Sequence, residues 1–133
     1  MGEINWLAVL LGALAFFAVG ALWYTALFGK AWQRATGLSD DQLKSGASMP
    51  LIFGLAFAAE LLVALTLAHQ FSFGDPSARG MMMIAIGYAL GLMIPALAIN
   101  YLFLRKSLRL FLIDAGHLLV GMAAMGGVFV ALD

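Results

Sequence analysis

The sequence predicts an all-α integral membrane protein, a bundle of four membrane helices with a short interfacial helix in the first cytoplasmic loop. Of its 133 residues, 64% are hydrophobic and 11% are charged, whereas soluble chains are about half apolar and a quarter charged. This length is typical of one domain, and a soluble domain so small leaves too much surface exposed to bury that many apolar side chains. Four stretches also reach the roughly 20 apolar residues that a membrane-spanning helix needs.

The predicted spans form a single transmembrane domain and cover about residues 4–28, 50–71, 81–104 and 108–132. The first span is expected to stay in the mature protein. Its leader carries Glu3 and no lysine or arginine, and its apolar run is longer than the core of a signal peptide. Trp6, Trp23 and Trp32 are predicted to anchor the protein at the membrane–water interfaces.

The basic residues predict the orientation of the spans. All but Arg79 fall in the first and third connections, at Lys30, Arg34, Lys44, Arg105, Lys106 and Arg109. Because short basic loops stay in the cytoplasm, both termini are expected to lie outside.

Two connections carry helix-capping signals. In the first, Ser39 with Gln42 forms a capping-box pattern that predicts the start of a short interfacial helix, and Gly37 is typical of a left-handed cap that ends the preceding helix. In the second, Asp75 followed by Pro76 predicts the N-cap and the first-turn proline of span three.

Small residues predict which helix faces meet, because close backbone approach drives helix association in lipid. Gly87 and Gly91 have the GxxxG spacing in span three, and Gly121 lies in span four. Pro95 is expected to kink span three.

Five polar residues within the spans are candidate functional residues. Glu60 is expected near the bilayer centre, and Asp114 and His117 lie three residues apart on one face of span four. Asn100 and Tyr24 fall at a depth comparable to that of this pair. Two interpretations stay open. In the first, the polar cluster of the other four forms hydrogen bonds between helices, and Glu60 is a neutral acid whose hydrogen bonds are satisfied. In the second, the cluster lines a polar route through the membrane, and Glu60 binds a proton or an ion along it.

Several function classes are excluded. A net charge of zero leaves no basic face for nucleic acid. The absence of cysteine and the placement of His69 and His117 near opposite membrane faces argue against a metal site or haem, so no metal or cofactor is expected. Asp114 and His117 have no serine within one helical turn, so the protein is not predicted to be an enzyme.

Two stretches carry a family resemblance, "NWLAVLLGALAFFAVGALWYTALFGKAW" and "NYLFLRKSLRLFLIDAGHLLVGMAAMG". They resemble the bacterial membrane protein family catalogued as domain of unknown function 1761. The resemblance runs from Asn5 to about Gly127, and it implies a small multi-pass protein of the bacterial inner membrane with four helices and no assigned reaction. The resemblance implies that the family pattern includes Asn5, Trp23, Tyr24, Trp32, Asn100 and Asp114.

Three functions are compatible with these features. The leading hypothesis is a small conduit or carrier for protons, ions or small solutes that works as a homo-oligomer in the lipid bilayer. The alternative is a non-catalytic accessory or scaffold subunit of a larger membrane complex. A lipid-modifying membrane enzyme is the least favoured, since the sequence lacks an acid, a base and a nucleophile placed together at the surface.

Overall fold

The computed structural model describes residues 3–133, and this part of the chain contains helices and connecting turns but no strand. The α-helices are α1 (Trp6–Leu22), α2 (Gly29–Thr36), α3 (Asp40–Lys44), α4 (Met49–Ser72), α5 (Ala78–Tyr88), α6 (Ile94–Phe103) and α7 (Leu108–Ala131), with π-helical turns at Trp23–Leu27 and Ala89–Met93. Four helices are long and apolar enough to cross a membrane: Trp6–Leu27, Met49–Ser72, Ala78–Phe103 and Leu108–Ala131. The predicted multi-pass helical fold is confirmed, whereas the orientation of the termini stays a prediction.

Helices α1 and α7 form the central antiparallel pair. Gly12 of α1 faces Met125 of α7, and Gly20, two turns further along α1, faces His117. Helix α4 packs against α1, and the α5–α6 span packs against α7, whereas α4 and α5 touch each other only slightly. The order of packing is therefore α4, α1, α7 and α5–α6, and the two outer spans meet each other only slightly.

The buried core occupies the half of the bundle next to the chain termini. We call that side of the membrane the terminal face, and the side with α2, α3 and the α6–α7 turn the basic face. The core is built from Ala8, Val9, Ala13, Phe16, Ala64, Leu67, Ala68, Phe71, Met81, Ala85, Ala89, Met122, Met125 and Phe129. Helix α6 contributes no buried residue, and α4 contributes none before Ala64. Towards the basic face, the outer spans therefore leave much of their apolar surface exposed.

Spans one and three each contain a π-helical turn. In span three the turn Ala89–Met93 lies just before Pro95, the second residue of α6, whose nitrogen has no hydrogen to donate to the backbone hydrogen bonds of the helix. In span one the turn Trp23–Leu27 ends where Phe28 leaves helical geometry. A Cβ on Gly29 would lie 2.8 Å from the Tyr24 carbonyl oxygen, so only glycine allows the chain to turn into α2 there.

The capping predictions hold in the first loop and fail in the second. Ser39 and Gln42 form the predicted capping box at the start of α3, and Gly37 ends α2 with a φ of 74°. The N-cap of span three is not Asp75, however, which has a φ of 44°. The hydroxyl of Ser77 accepts the hydrogen bond from the Gly80 amide, so the helix begins at Ala78, and Pro76 precedes it.

The glycines of span three do not pack as the GxxxG spacing predicts. A Cβ on Gly87 or Gly91 would meet no atom within 4 Å among the described residues, and Pro95 is exposed. The reason is that this span turns its opposite face, with Met81 and Ala85, towards α7. Close approach occurs instead at glycines of α7: a Cβ on Gly121 would lie 2.7 Å from the Phe16 ring, and similar contacts exist at Gly116 and Gly126.

Candidate functional site

Asp114 is the centre of a hydrogen-bonded cluster in the half of the bundle next to the basic face. Its side chain is 8% exposed, and each carboxylate oxygen accepts a hydrogen bond from a tyrosine on a different span. The Tyr24 hydroxyl donates to Oδ1 over 2.5 Å, and the Tyr101 hydroxyl donates to Oδ2. Hydrogen bonds to a carboxylate are stronger than those between neutral groups. This single side chain therefore ties spans one, three and four together.

The π-helical turn of span one places two aromatic side chains against α7. The Trp23 indole N–H donates to the Ile113 carbonyl oxygen over 2.9 Å, next to the residue that receives Tyr24. Trp23 was predicted to be an interfacial anchor, which stays a prediction, and its indole also links two helices. Trp32 lies beneath the cluster, with its ring 5.8 Å from that of Tyr24. Trp6, the remaining predicted anchor, is exposed at the start of α1.

His117 completes the cluster without taking part in its hydrogen bonds. Its ring packs edge-on against Tyr24 at 4.9 Å between centroids and against Phe16 at 5.2 Å. Its Nε2 atom is buried and has no hydrogen-bond partner within residues 3–133. A Cβ on Gly20 would lie 3.0 Å from this nitrogen, so the histidine ring fills the space that the missing side chain leaves.

Asn100 is not part of the cluster. Its side chain is exposed, and the adjacent Tyr101 provides the third-span contact instead. The sequence analysis missed Tyr101, although one signal was available. Spans three and four are joined by a short turn, so a hydroxyl near the end of span three lies level with the start of span four. Which of two neighbouring residues faces inward depends on the π-helical turn at Ala89–Met93, which shifts the helical register and cannot be read from periodicity.

Glu60 occupies a different environment on α4. It shares a helix face with Ala64, Leu67 and Phe71, all of which are buried, while the residues on the basic side of it are mostly exposed. It therefore lies at the place along α4 where the buried core ends. Its Oε2 atom is buried and receives no hydrogen bond from the part of the chain that the structure describes. His69, at the terminal end of this helix, is exposed, and its ring packs edge-on against Phe73.

Glu60 and the Asp114 cluster are separate sites. Phe17 of α1 packs against Phe53 and Phe57 of α4, so antiparallel pairing puts Glu60 near the level of Gly12. His117 lies at the level of Gly20. Eight residues of α1 separate these levels, which corresponds to about 12 Å along the membrane normal. The side chains of α1 between these levels are all apolar, and Phe16 among them is buried, so no polar side chain of α1 connects the two carboxyl groups.

The chemistry of the two sites follows from their hydrogen bonds. Both oxygens of Asp114 are engaged, which makes this cluster a link between helices. Glu60 has one oxygen that can accept a proton or a cation without breaking a hydrogen bond to residues 3–133. Within residues 3–133, no three histidine, cysteine or carboxylate side chains are grouped so that they could hold a metal ion.

The sequence matches one known protein family. The family described as "Protein of unknown function (DUF1761)" matches residues 7–130, which is nearly the whole chain. No curated protein and no solved structure matches.

Proposed function

We propose, from the premise that the chain belongs to the DUF1761 family, that it is a small oligomeric conduit or carrier for protons or small cations in the bacterial cytoplasmic membrane. The family description names no activity, so the proposal rests on the geometry of this chain. Its central residue is Glu60, and the Asp114 cluster holds spans one, three and four together.

The observation that carries the proposal is the buried, unpartnered Oε2 atom of Glu60. Leaving a buried polar atom without a hydrogen bond costs about 1–3 kcal/mol, and ionisable groups within a membrane typically mark ion or proton pathways. The protein would tolerate this free-energy cost if the free oxygen of Glu60 binds and releases a proton or a cation. Asp114 fits this role less well because two tyrosine hydroxyls already occupy its oxygens.

An oligomer is proposed because one chain leaves the part of α4 that precedes Glu60 largely uncovered. The two outer spans barely touch, and α4 is largely exposed from Met49 to Ala59. A second copy placed against this opening would surround Glu60 with protein and give a transported ion a path that avoids lipid. We therefore expect transport to depend on assembly.

Flux measurements on liposomes test this proposal. Purified protein is reconstituted with a pH-sensitive dye inside the liposomes, and a potassium diffusion potential drives proton entry. The same vesicles are then tested with sodium and potassium gradients. Wild-type protein is expected to increase one of these fluxes, and Glu60→Gln is expected to reduce it to the level of protein-free liposomes, because glutamine keeps the shape and removes the titrating group.

The matched control is Asp41→Asn, which removes an exposed carboxylate from α3 outside the spans. It should leave the flux unchanged. Equal flux through wild-type and Glu60→Gln protein, or no flux above empty liposomes for the wild type, would contradict the proposal.

A second candidate is an accessory subunit of a larger membrane complex. The observation that favours it is the open glycine face of span three, where Gly87 and Gly91 leave room for a closely packed foreign helix. Native mass spectrometry of protein extracted gently with its lipids distinguishes the two. A homo-oligomer supports the conduit, and a stoichiometric foreign subunit supports the accessory role.

A further inference from the structure

The turn between α6 and α7 concentrates positive charge at the membrane surface. Arg105 and Lys106 lie in the turn, Arg109 lies in the first turn of α7, and all three are exposed. The sequence contains no acidic residue between Asp75 and Asp114, and Asp114 is buried with its oxygens occupied. These three cations therefore have no nearby carboxylate along their own hairpin.

The backbone of this turn is held in a defined conformation. Arg105 has a φ of 57°, a left-handed geometry that residues other than glycine seldom adopt. The Lys106 amide donates to the Tyr101 carbonyl oxygen over 3.0 Å, and Ser107 caps α7. The Arg105 guanidinium donates one bond to the Phe103 carbonyl oxygen over 3.2 Å and keeps further N–H groups free. The cations are thus presented from a fixed turn and not from a long loop.

Helix stability does not account for this charge. A cation near the N-terminus of a helix is disfavoured by the helix dipole, and Arg109 lies there in α7. An anion bound at this place would interact favourably with the cations and with the free amides of the first turn. Large apolar side chains flank the turn on the membrane side, since Leu102, Phe103 and Leu108 are 75%, 79% and 70% exposed.

From these observations we propose that the α6–α7 turn binds an anionic phospholipid, with the headgroup phosphate held by Arg105, Lys106 and Arg109. The acyl chains lie along Phe103 and Leu108. The charge complementarity identifies the headgroup, and the adjoining apolar surface identifies a lipid and not a soluble phosphate compound. The site is independent of Glu60 and of the transport proposal.

The other basic connection provides a matched comparison. It also carries three cations, Lys30, Arg34 and Lys44, but α3 places Asp40 and Asp41 among them. These carboxylates offset much of the positive charge. If only the number of cations at the basic face mattered, the two connections would contribute equally to lipid binding.

Lipid titration monitored by native mass spectrometry tests the proposal in mild detergent, where membrane topology has no influence. Phosphatidylglycerol and phosphatidylcholine with identical acyl chains are added to wild-type protein, which should retain phosphatidylglycerol preferentially. A variant with Arg105→Gln, Lys106→Gln and Arg109→Gln should lose this preference, with about a fivefold loss of affinity per charge. A variant with Lys30→Gln, Arg34→Gln and Lys44→Gln should keep most of it.

Should the first triple variant fail to fold, Arg109→Gln alone is compared with Arg79→Gln, which removes an exposed cation from the opposite face. Only Arg109→Gln should weaken phosphatidylglycerol binding. Equal losses in the compared variants, equal retention of both lipids by the wild type, or displacement of the lipid by glycerol 3-phosphate at a similar concentration would overturn the proposal.

Discussion

At the scale of single residues, the two carboxyl groups within the membrane differ in what surrounds their oxygens. Asp114 receives hydrogen bonds from Tyr24 and Tyr101, which come from spans one and three. Glu60 has a buried oxygen that no donor in residues 3–133 reaches. Sequence position alone does not separate these cases, because both residues lie within apolar helices and both lie next to small residues. The difference arises from hydroxyl groups that are remote in sequence.

The tyrosine contacts predict a measurable contribution to stability. Tyr101→Phe or Tyr24→Phe removes one donor to the buried carboxylate, so each should lower the free energy of unfolding by about 1 kcal/mol. Tyr88→Phe is the control, because the Tyr88 hydroxyl lies 3.5 Å from Gln70 Oε1, at the limit of a hydrogen bond. Unfolding by denaturing detergent in mixed micelles gives the three values. If Tyr101→Phe and Tyr88→Phe cost the same, the cluster does not hold the spans together.

At the scale of helices, α7 packs through its own glycines. A Cβ on Gly126 would lie 2.8 Å from the Ala85 Cβ, and neither atom belongs to a flexible chain end. Helices α5 and α7 would therefore have to separate to admit a methyl group. A Cβ on the neighbouring Gly127 would meet no atom of the described residues within 4 Å.

This contrast predicts opposite outcomes for two adjacent substitutions. Gly126→Ala should lower stability by about 1–3 kcal/mol because it overpacks the helix contact. Gly127→Ala should be neutral or slightly stabilising, since alanine is the better helix former and nothing obstructs it. The same micelle unfolding experiment measures both. A destabilising Gly127→Ala with a tolerated Gly126→Ala would show that the two helices meet through a different face.

The sequence predicts the helices more accurately than it predicts the contacts between them. Hydropathy and length were sufficient for the four spans, and Ser39, Gln42 and Gly37 were sufficient for the helix ends of the first loop, because these signals are local. Gly87 and Gly91 pack against no other helix among the described residues, because small residues show that a face can pack, not which face does. The π-helical turns altered the register on which such predictions depend.

In the candidate site, too, the sequence predicts the depth of a residue better than the direction in which its side chain faces. Tyr24, Asp114 and His117 were expected at one depth, and the structure brings them together. Asn100 was expected with them but is exposed, and Tyr101 takes its place. Depth follows from counting residues along a straight helix, whereas facing depends on turns and crossing angles that one sequence does not reveal.

At the scale of the whole molecule, the protein is closed next to its termini and open next to its basic face. The core side chains from α1, α4, α5 and α7 fill the first half, and the Asp114 cluster fixes one side of the second. Glu60 lies at the boundary between the halves. This arrangement fits the division of roles that we propose, in which Asp114 holds the helices together and Glu60 binds and releases a proton or a cation.

Reaction with a membrane-permeant carbodiimide tests this division most directly. The reagent converts an accessible carboxylic acid within a membrane into a stable N-acylurea, which peptide mass spectrometry locates. The account predicts one intramembrane adduct, at Glu60, that is absent from Glu60→Gln protein, while Asp114 stays unmodified until Tyr24→Phe or Tyr101→Phe frees one of its oxygens. Modification of Asp114 in the folded wild-type protein, with Glu60 unreacted, would contradict it.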